Sequence, residues 1–499
     1  MAVVFVLIAL TVMCLLGVAH WYLWRRLVRD VSERGRLWRR TGTVLAFALP
    51  VLVIVNFAVG RSDVPFVLKQ VLAWPGYLWM ALLLYLLLAL LAGEFVRPLL
   101  RAVLTRRAAA GPSRGPGSGQ GPGSGRGPVQ GDAVSPGAEA AVEAAADAGA
   151  PGVQAGTGTG TLSDVSGGGA SGGVACATAT GKKAAEAEEA EAEAVSSTET
   201  GRSDGGADTP VAGDADRTDR IDPAALSRRL FIARTVAASA SAVAAGTVGA
   251  GAYSLLNGPT LKHITVPLAK LPRSAHGYRI AVVSDIHLGA VLGRSHAQRI
   301  VDTINSAQPD LVAIVGDLVD GTVADLAPAV APLRQLRSRD GSFFVTGNHE
   351  YFGDAGEWVD HVRELGVHPL ENARRELPGF DLAGVNDLRG EDAGEGPDFG
   401  KALGDRDDSR ASVLLAHQPV QIHEAVDHGV DLQLSGHSHG GQMWPGPYLA
   451  ALANPTVAGL ERYGDTQLYV TRGAGSWGPP VRVGAESDVT IVKLASKQA

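Results

Sequence analysis

The sequence predicts an α/β domain in the C-terminal half of the chain, preceded by membrane helices and a disordered linker. Within 261–499, short β-branched runs alternate with stretches of helical periodicity, which is typical of an α/β sheet. Only 19% of the 499 residues are charged, whereas 46% are hydrophobic, and a soluble domain usually carries about 25% charge. Because the excess apolar residues are concentrated in a few uncharged runs, they indicate membrane segments.

Three apolar runs define a predicted membrane domain over 1–107. They lie at 2–24, 44–60 and 71–93, and each approaches the ~20 residues that a helix needs to cross a bilayer. Buried core helices are the alternative for all three runs. A cleaved signal peptide is a further alternative for the first, but Arg25 and Arg26 follow this run rather than precede it, so a membrane anchor is the preferred interpretation.

Residues 108–227 form a Gly/Pro/Ala/Glu-rich segment with almost no large apolar side chains. Such a segment buries too little apolar surface to offset chain entropy, and we expect a disordered linker. The two cysteines, Cys14 and Cys176, lie in the first apolar run and in this segment, which excludes a disulfide scaffold. The net charge of −7 argues against a nucleic-acid-binding protein.

A fourth hydrophobic segment is predicted at 228–256. The hexamer at 227–232 reads SRRLFI, and the uncharged run 235–256 that follows it is rich in Ala and Gly. The hexamer resembles the twin-arginine export signal, which implies the twin-arginine translocase as a partner. Alternatively, Arg228 and Arg229 only mark the cytoplasmic end of a fourth helix. Both interpretations stay open, as does whether the run is cleaved or retained.

The basic residues alternate between the predicted loops. Seven arginines lie between 25 and 40 and four between 97 and 107, whereas the loop after the second run holds only Arg61 and Lys69. Cytoplasmic loops carry the excess of basic residues. We therefore expect a multi-pass protein of the cell membrane with the linker in the cytoplasm and the domain after Leu256 outside it.

The C-terminal domain contains a series of strand and helix patterns. Five strands are predicted in order at 278–284, 311–315, 342–346, 412–416 and 431–435. Helices are predicted at 295–307, 325–337 and 357–365. Two further runs, 467–471 and 489–494, are expected to close a second sheet.

Each of the five strands is followed by Asp, Asn or His. These residues are Asp285, His287, Asp317, Asn348, His349, His417, His437 and His439. Ligands gather at the carboxyl ends of strands in α/β sheets. Carboxylate, amide oxygen and imidazole together suit divalent Mn, Fe or Zn, and the number of candidate ligands is too large for one ion. Two ions that share a carboxylate would clamp the attacking and leaving oxygens of a phosphoryl group and activate water as the nucleophile.

These blocks resemble the motif set of the calcineurin-like metallophosphoesterases. The blocks are Asp285-x-His287, Gly316-Asp317, Gly347-Asn348-His349-Glu350, His417 and Gly436-His437-x-His439. The extended end of the last block, GHSHGGQ, resembles the branch that contains bacterial membrane-associated and exported enzymes of the YkuE and YaeI type. The resemblance covers 261–499 and implies two central β-sheets flanked by helices, a four-layer sandwich.

The resemblance also implies a role for each residue. Asp285, His287 and His439 would bind one divalent ion. Asn348, His417 and His437 would bind the second, and Asp317 would bridge the two. His349 would not be a ligand but the general acid or transition-state stabiliser at the leaving group. Glu350 is expected to orient its neighbours rather than bind metal.

Two functions of different class follow. The first is a membrane-anchored, metal-dependent hydrolase of a phosphomonoester or phosphodiester, with a lipid or other cell-envelope phosphoester as the substrate that membrane anchoring favours. The second is a catalytically silent metal-binding sensor or scaffold. The complete ligand set together with His349 favours the enzyme.

The arginine pattern predicts the topology. A reporter that is active only outside the cytoplasm should work when fused after Leu256 and fail when fused within the linker near Gly167, because the linker would follow the basic cytoplasmic end of the third span. Reporter activity in cells measures this directly. Activity at Gly167 and none after Leu256 would reverse the predicted orientation.

Overall fold

The computed structural model describes residues 2–109, except 34 and 63, and residues 223–498. The predicted linker falls almost wholly outside these residues. The first part of the chain forms helices α1 (Ala2–Leu23), α2 (Leu37–Gly60) and α3 (Phe66–Ala109), with a π-helical turn at Trp24–Arg29 after α1. Helix α4 (Pro223–Leu256) leads into the C-terminal domain.

Three helices among the described residues are long and apolar enough to cross a membrane. They are Leu37–Gly60, Phe66–Arg106 and Ser227–Leu256. The third predicted run is the middle of a helix of 44 residues, and the SRRLFI hexamer is continuous with the helix that carries the fourth run. The first predicted run forms α1, several of whose side chains lie outside the described part of the chain.

Helices α3 and α4 pack together through small and apolar residues. Ala240, Ala244 and Val248 of α4 are buried in one cluster with Ala81 and Leu90 of α3. The four-residue spacing places the α4 side chains on one face of the helix, and small residues there let the backbones approach closely. The two helices thus form one packed unit.

Charged residues collect at one end of this helical unit. Arg26 Nη2 lies 2.9 Å from Glu94 Oε2, and Arg97 Nη1 lies 3.0 Å from Glu94 Oε1. Arg234 Nε donates to the carbonyl of Val31 at 3.2 Å. The loop after α1, the C-terminal half of α3 and the start of α4 therefore meet at the same end.

The opposite end of the helical unit contacts the C-terminal domain. Lys69 Nζ lies 3.7 Å from Asp325 Oδ2, and Phe66 packs against the core of that domain. At the end of α4, the carbonyl of Gly251 accepts a hydrogen bond from the Arg482 amide at 3.2 Å. A Cβ at Gly251 would lie 2.6 Å from the Arg482 carbonyl, so the close approach requires glycine.

The C-terminal domain contains two six-stranded mixed sheets, as the family resemblance implies. The first sheet has the order β1-β12-β2-β3-β4-β5, and the second has the order β10-β11-β9-β8-β7-β6. The first comprises β1 (Thr260–Leu268), β2 (Arg279–Val283), β3 (Leu311–Val315), β4 (Ser342–Val345), β5 (His368–Pro369) and β12 (Asp488–Ser496). The second comprises β6 (Ala373–Leu377), β7 (Phe380–Gly384), β8 (Ala411–Leu415), β9 (Leu432–Ser435), β10 (Gly459–Tyr463) and β11 (Thr466–Val470).

One expectation about the sheets was wrong. The run 489–494 was expected in the second sheet, but β12 pairs parallel with β1 and antiparallel with β2 in the first. The edge strands β1, β5, β6 and β10 and the inner strand β7 were not predicted. Exposed residues interrupt the apolar run in the edge strands, and the buried Asp381 interrupts it in β7. A strand such as β3 is apolar along its whole length because both of its faces are covered.

The two sheets pack face to face, and helices cover their outer faces. Between the sheets, the Tyr278 and Phe380 rings meet edge to face with centroids 4.9 Å apart. Helices α5 (Arg294–Ser306), α6 (Val323–Val330) and α7 (Ala355–Glu364) cover the first sheet, and α8 (Phe399–Leu403) and α9 (Ile422–Asp427) cover the second. Helix α10 (Gly446–Ala450) follows β9 and lies outside both layers.

Candidate metal centre

The loops after three parallel strands of the first sheet carry four of the predicted ligands. Asp285 and His287 follow β2, Asp317 follows β3, and Asn348 follows β4. Strands β2, β3 and β4 run parallel, so their carboxyl ends meet at one edge. The other three predicted ligands follow strands of the second sheet, and these are His417 after β8 and His437 and His439 after β9.

The backbone is strained at these loops. Five of the predicted ligands have a positive φ, between 49° and 68°. They are Asp285, His287, Asp317, His437 and His439. A positive φ is uncommon for residues other than glycine and clusters at functional sites. The neighbouring glycines are equally constrained, because a Cβ at Gly436 would clash with Ser284 and Asp285.

The side chains of the two sheets meet in three groups, two of which share Asp317. The first group is Asp285, His287, Asp317 and His439, and the second is Asp317, His417 and His437. The third group, His287, Asp320 and His349, lies beside the first. In each group the candidate ligand atoms all lie within 4.8 Å of one another. Asn348 adjoins the second group, with its Oδ1 2.9 Å from His437 Nδ1. All seven predicted ligands are therefore brought together.

The donor atoms fit divalent cations. His287 Nε2 and His439 Nε2 face each other at 3.0 Å, and the buried His417 Nε2 lies 3.2 Å from Asp317 Oδ2. Converging nitrogen and carboxylate oxygen atoms of this kind are the ligand set of Zn, Fe or Mn.

The electrostatics of the site favour bound positive charge. Burial alone would raise the pKa of Asp317, but the neighbouring imidazoles, His417 first, hold it well below its usual range. Burial likewise disfavours a charged His287, yet Asp320 and the nearby carboxylates raise its pKa to about 9. Burial lowers the pKa of His437 to about 4 and that of His439 well below its usual value. The last two rings are thus neutral, as metal ligation requires.

His349 lies beside the two groups that share Asp317 and is held by two acceptors. Its Nδ1 lies 2.6 Å from Asp320 Oδ1, and its backbone amide donates to Asp317 Oδ1 at 2.9 Å. The ring centroid lies 4.6 Å from that of Phe352 and 6.0 Å from that of Trp477. His349 is therefore fixed at the edge of the site, next to aromatic side chains.

Asp320 is a site residue that the sequence analysis missed. Its Oδ1 also lies 2.8 Å from His287 Nδ1, so one carboxylate holds both a predicted ligand and His349. Burial alone would raise the pKa of Asp320, but His287 and His349 lower it to about 2. The sequence feature that could have identified Asp320 is its position three residues after Asp317, on the same loop after β3.

Glu350 orients the loops, as expected. Its carboxylate accepts hydrogen bonds from the backbone amides of Gly347 at 2.6 Å, Leu318 at 2.8 Å and Asp317 at 3.1 Å. Burial raises its pKa to about 7. Glu350 thus joins the loop after β3 to the loop after β4 and is absent from all three candidate ligand groups.

Arg482 is a second residue that the sequence did not reveal. Its buried guanidinium donates to the carbonyls of His439 at 2.9 Å, Arg472 at 2.6 Å and Gly475 at 2.8 Å. Burial lowers its pKa to about 10. The side chain ties the loop after β9 to the loop after β11, and nothing in the sequence distinguishes it from an exposed arginine.

The double contact of Asp320 predicts a role in metal binding. Asp320→Asn should weaken the affinity of the chain for Mn²⁺ by about 10–100-fold, because it removes the negative charge of the carboxylate that holds the ligating His287. Equilibrium dialysis of the detergent-solubilised chain measures this. Asp325→Asn is the matched control, because Asp325 pairs with Lys69 outside the site. Equal affinities for the two variants would contradict the role of Asp320.

Comparisons with known proteins agree with this geometry. The calcineurin-like phosphoesterase family matches residues 278–441. A transmembrane protein with a metallophosphoesterase domain from Danio rerio is 39% identical over 264 residues, 50% of this chain and 60% of that protein. An uncharacterized metallophosphoesterase from Aquifex aeolicus is 32% identical over 254 residues, 50% of this chain and 97% of that protein. The metallophosphoesterase YkuE of Bacillus subtilis is 29% identical over 291 residues, 54% of this chain and 98% of that protein.

This chain covers less than two thirds of the length of the first two curated relatives. It covers 60% of the Danio rerio protein and 57% of a Bos taurus protein of the same description. The Aquifex aeolicus protein, by contrast, is matched over nearly its whole length. The identities, the matched segment and the two ligand groups agree. The chain belongs to the calcineurin-like metallophosphoesterase family.

Proposed function

We propose that the chain is a membrane-anchored phosphoesterase that uses two divalent metal ions. The observation that carries the proposal is the pair of ligand groups that share Asp317, with His349 next to them. Family membership and the apolar helices support it. The reaction is hydrolysis of a phosphomonoester or phosphodiester.

In this proposal Asp285, His287 and His439 would hold one ion, Asn348, His417 and His437 would hold the other, and Asp317 would be shared by both. The ions, of Mn, Fe or Zn, would supply Lewis acidity to the phosphoryl group and activate water as the nucleophile. The strained loops support this assignment because they hold the ligands in place before any ion binds.

His349 acts on the leaving group in this proposal. Asp320 holds its Nδ1, which leaves Nε2 to donate a proton to the departing oxygen. The Phe352 and Trp477 rings lie beside the imidazole, which is itself almost completely buried.

The domain lies outside the cytoplasm in this proposal, and its substrate is a lipid or another phosphoester of the cell envelope. The Arg-rich end of the helical unit, where Arg26 and Arg97 pair with Glu94, is opposite the end that contacts the domain at Lys69. Basic ends remain in the cytoplasm. This arrangement supports a chain that crosses the membrane several times. Such a topology does not require the twin-arginine translocase, and neither the relatives nor the packing of α4 supports that partner.

The bridging carboxylate gives the first test. Asp317→Asn should abolish hydrolysis of p-nitrophenyl phosphate and bis(p-nitrophenyl) phosphate by the full chain and lower its metal content below two ions, because the amide removes the negative charge that both ions share. Chelation of the unmodified chain should also abolish turnover, and Mn²⁺ should restore it. Elemental analysis and initial rates check this. Full activity of Asp317→Asn would contradict the shared-ligand assignment.

His349→Ala gives a different pattern. It should leave about two ions bound, because His349 is not a ligand, and lower kcat by roughly 10²–10⁴-fold, as expected for a lost general acid. The loss should be smaller for p-nitrophenyl esters than for alkyl esters, because a good leaving group needs less protonation. Metal stoichiometry and kcat are measured on the same preparation. Loss of metal would refute the assignment, and an unmodified chain that binds metal but hydrolyses no phosphoester would favour the sensor.

A further inference from the structure

An uncharged segment links the metal centre to the membrane helices. Residues 440–460 contain no Asp, Glu, Lys or Arg, and helix α10 lies within them. Five large side chains of this segment are exposed, and the four that lie within 444–452 are called the apolar ridge. The exposed fractions are 49% for Trp444, 70% for Tyr448, 68% for Leu449 and 84% for Leu452. Contiguous exposed apolar residues of this size mark an interaction surface.

The base of the ridge is attached to α3 and α4. Tyr85 Oη donates to the carbonyl of Trp444 at 3.0 Å. Met443 and Val483 pack against the cluster that joins the two helices. The ridge is therefore joined directly to helices that are long and apolar enough to cross a membrane.

The length of α3 gives the depth of this attachment. At about 1.5 Å per residue, the 44 residues of α3 extend about 66 Å, roughly twice the ~30 Å hydrocarbon core of a bilayer. If the hydrocarbon core begins at Arg97, which pairs with Glu94 at the basic end, the core ends about 20 residues away, near Tyr77. Tyr85 then lies about two turns inside this boundary.

The phenol of Tyr85 leans toward the N-terminus of its helix and so toward the catalytic side. Even if the Tyr85 side chain extends by about one helical turn in this direction, the Trp444 carbonyl that it contacts still lies within the hydrocarbon core. Exposed Trp and Tyr next to Leu at this depth are typical of the region where head groups meet acyl chains. The depth of the ridge therefore predicts that its side chains contact lipid.

We propose that the apolar ridge is embedded in the lipid leaflet on the side of the catalytic domain. The partner is the acyl-chain region of that leaflet. The ridge follows His439 by five residues, and the Gln442 side chain donates to the carbonyls of Trp477 at 3.0 Å and Pro479 at 3.1 Å. Because Trp477 lies beside His349, insertion of the ridge holds the His349 side of the metal centre at the bilayer surface.

Spin labels measure the depth of the ridge. Cys14→Ser and Cys176→Ser remove the native thiols of the full chain. Leu449→Cys and Leu452→Cys, made separately, then carry a nitroxide in nanodiscs of phosphatidylcholine and phosphatidylglycerol. Asp465→Cys is the control, because its side chain is fully exposed between two strands of the second sheet. Power saturation compares collisions with oxygen, which enters lipid, and with a nickel chelate, which stays in water.

Labels at Leu449 and Leu452 should collide several-fold more with oxygen than with the nickel chelate, and the label at Asp465 should show the reverse. Ridge labels that behave like Asp465 would overturn the proposal. Ridge labels shielded from both reagents would also overturn it, since they would indicate a second copy of the chain or a tight protein contact. The inference rests on the proposed anchoring and not on catalysis, so absence of hydrolysis would contradict only the proposed activity.

Discussion

The convergence of carboxylates and imidazoles around Asp317 is the constraint on which the domain depends. Its carboxylate lies 3.2 Å from His417 Nε2 and 3.7 Å from His287 Nε2, and these histidines come from different sheets. Buried charges are tolerated only when they are paired. The two sheets must therefore align so that opposite charges, whether protons on imidazole or bound metal ions, neutralise the carboxylates. The positive φ angles of the ligand residues, the glycines beside them and the buried Glu350 all serve this alignment.

Much of the site could be predicted from the sequence because its chemistry is carried by residue type and position after a strand. Asp285 and Asp317 each follow an apolar run that is almost wholly buried, and that pattern needs no knowledge of tertiary structure. The run that forms β12 was assigned to the wrong sheet because its apolar residues mark a buried strand without specifying its partner. Which strands pair depends on contacts far apart in the sequence.

Residues that act through other residues were harder to find. Asp320 and Arg482 carry side chains that are usually exposed and solvated, and only the folded chain shows what each one contacts. The full length of α3 was equally difficult to predict, because hydropathy locates the apolar middle of a helix but not the less apolar ends that extend beyond it.

The packing of Val481 and Val483 against α3 and α4 has a consequence for how the domain behaves alone. These residues and Met443 belong to a cluster that includes Ala81, Tyr85 and Val248 of the membrane helices. A fragment that begins after α4 would expose this apolar face to water, where it would favour self-association. The helices thus act as a cover as well as an anchor, and solubility of the isolated fragment would need polar replacements on that face.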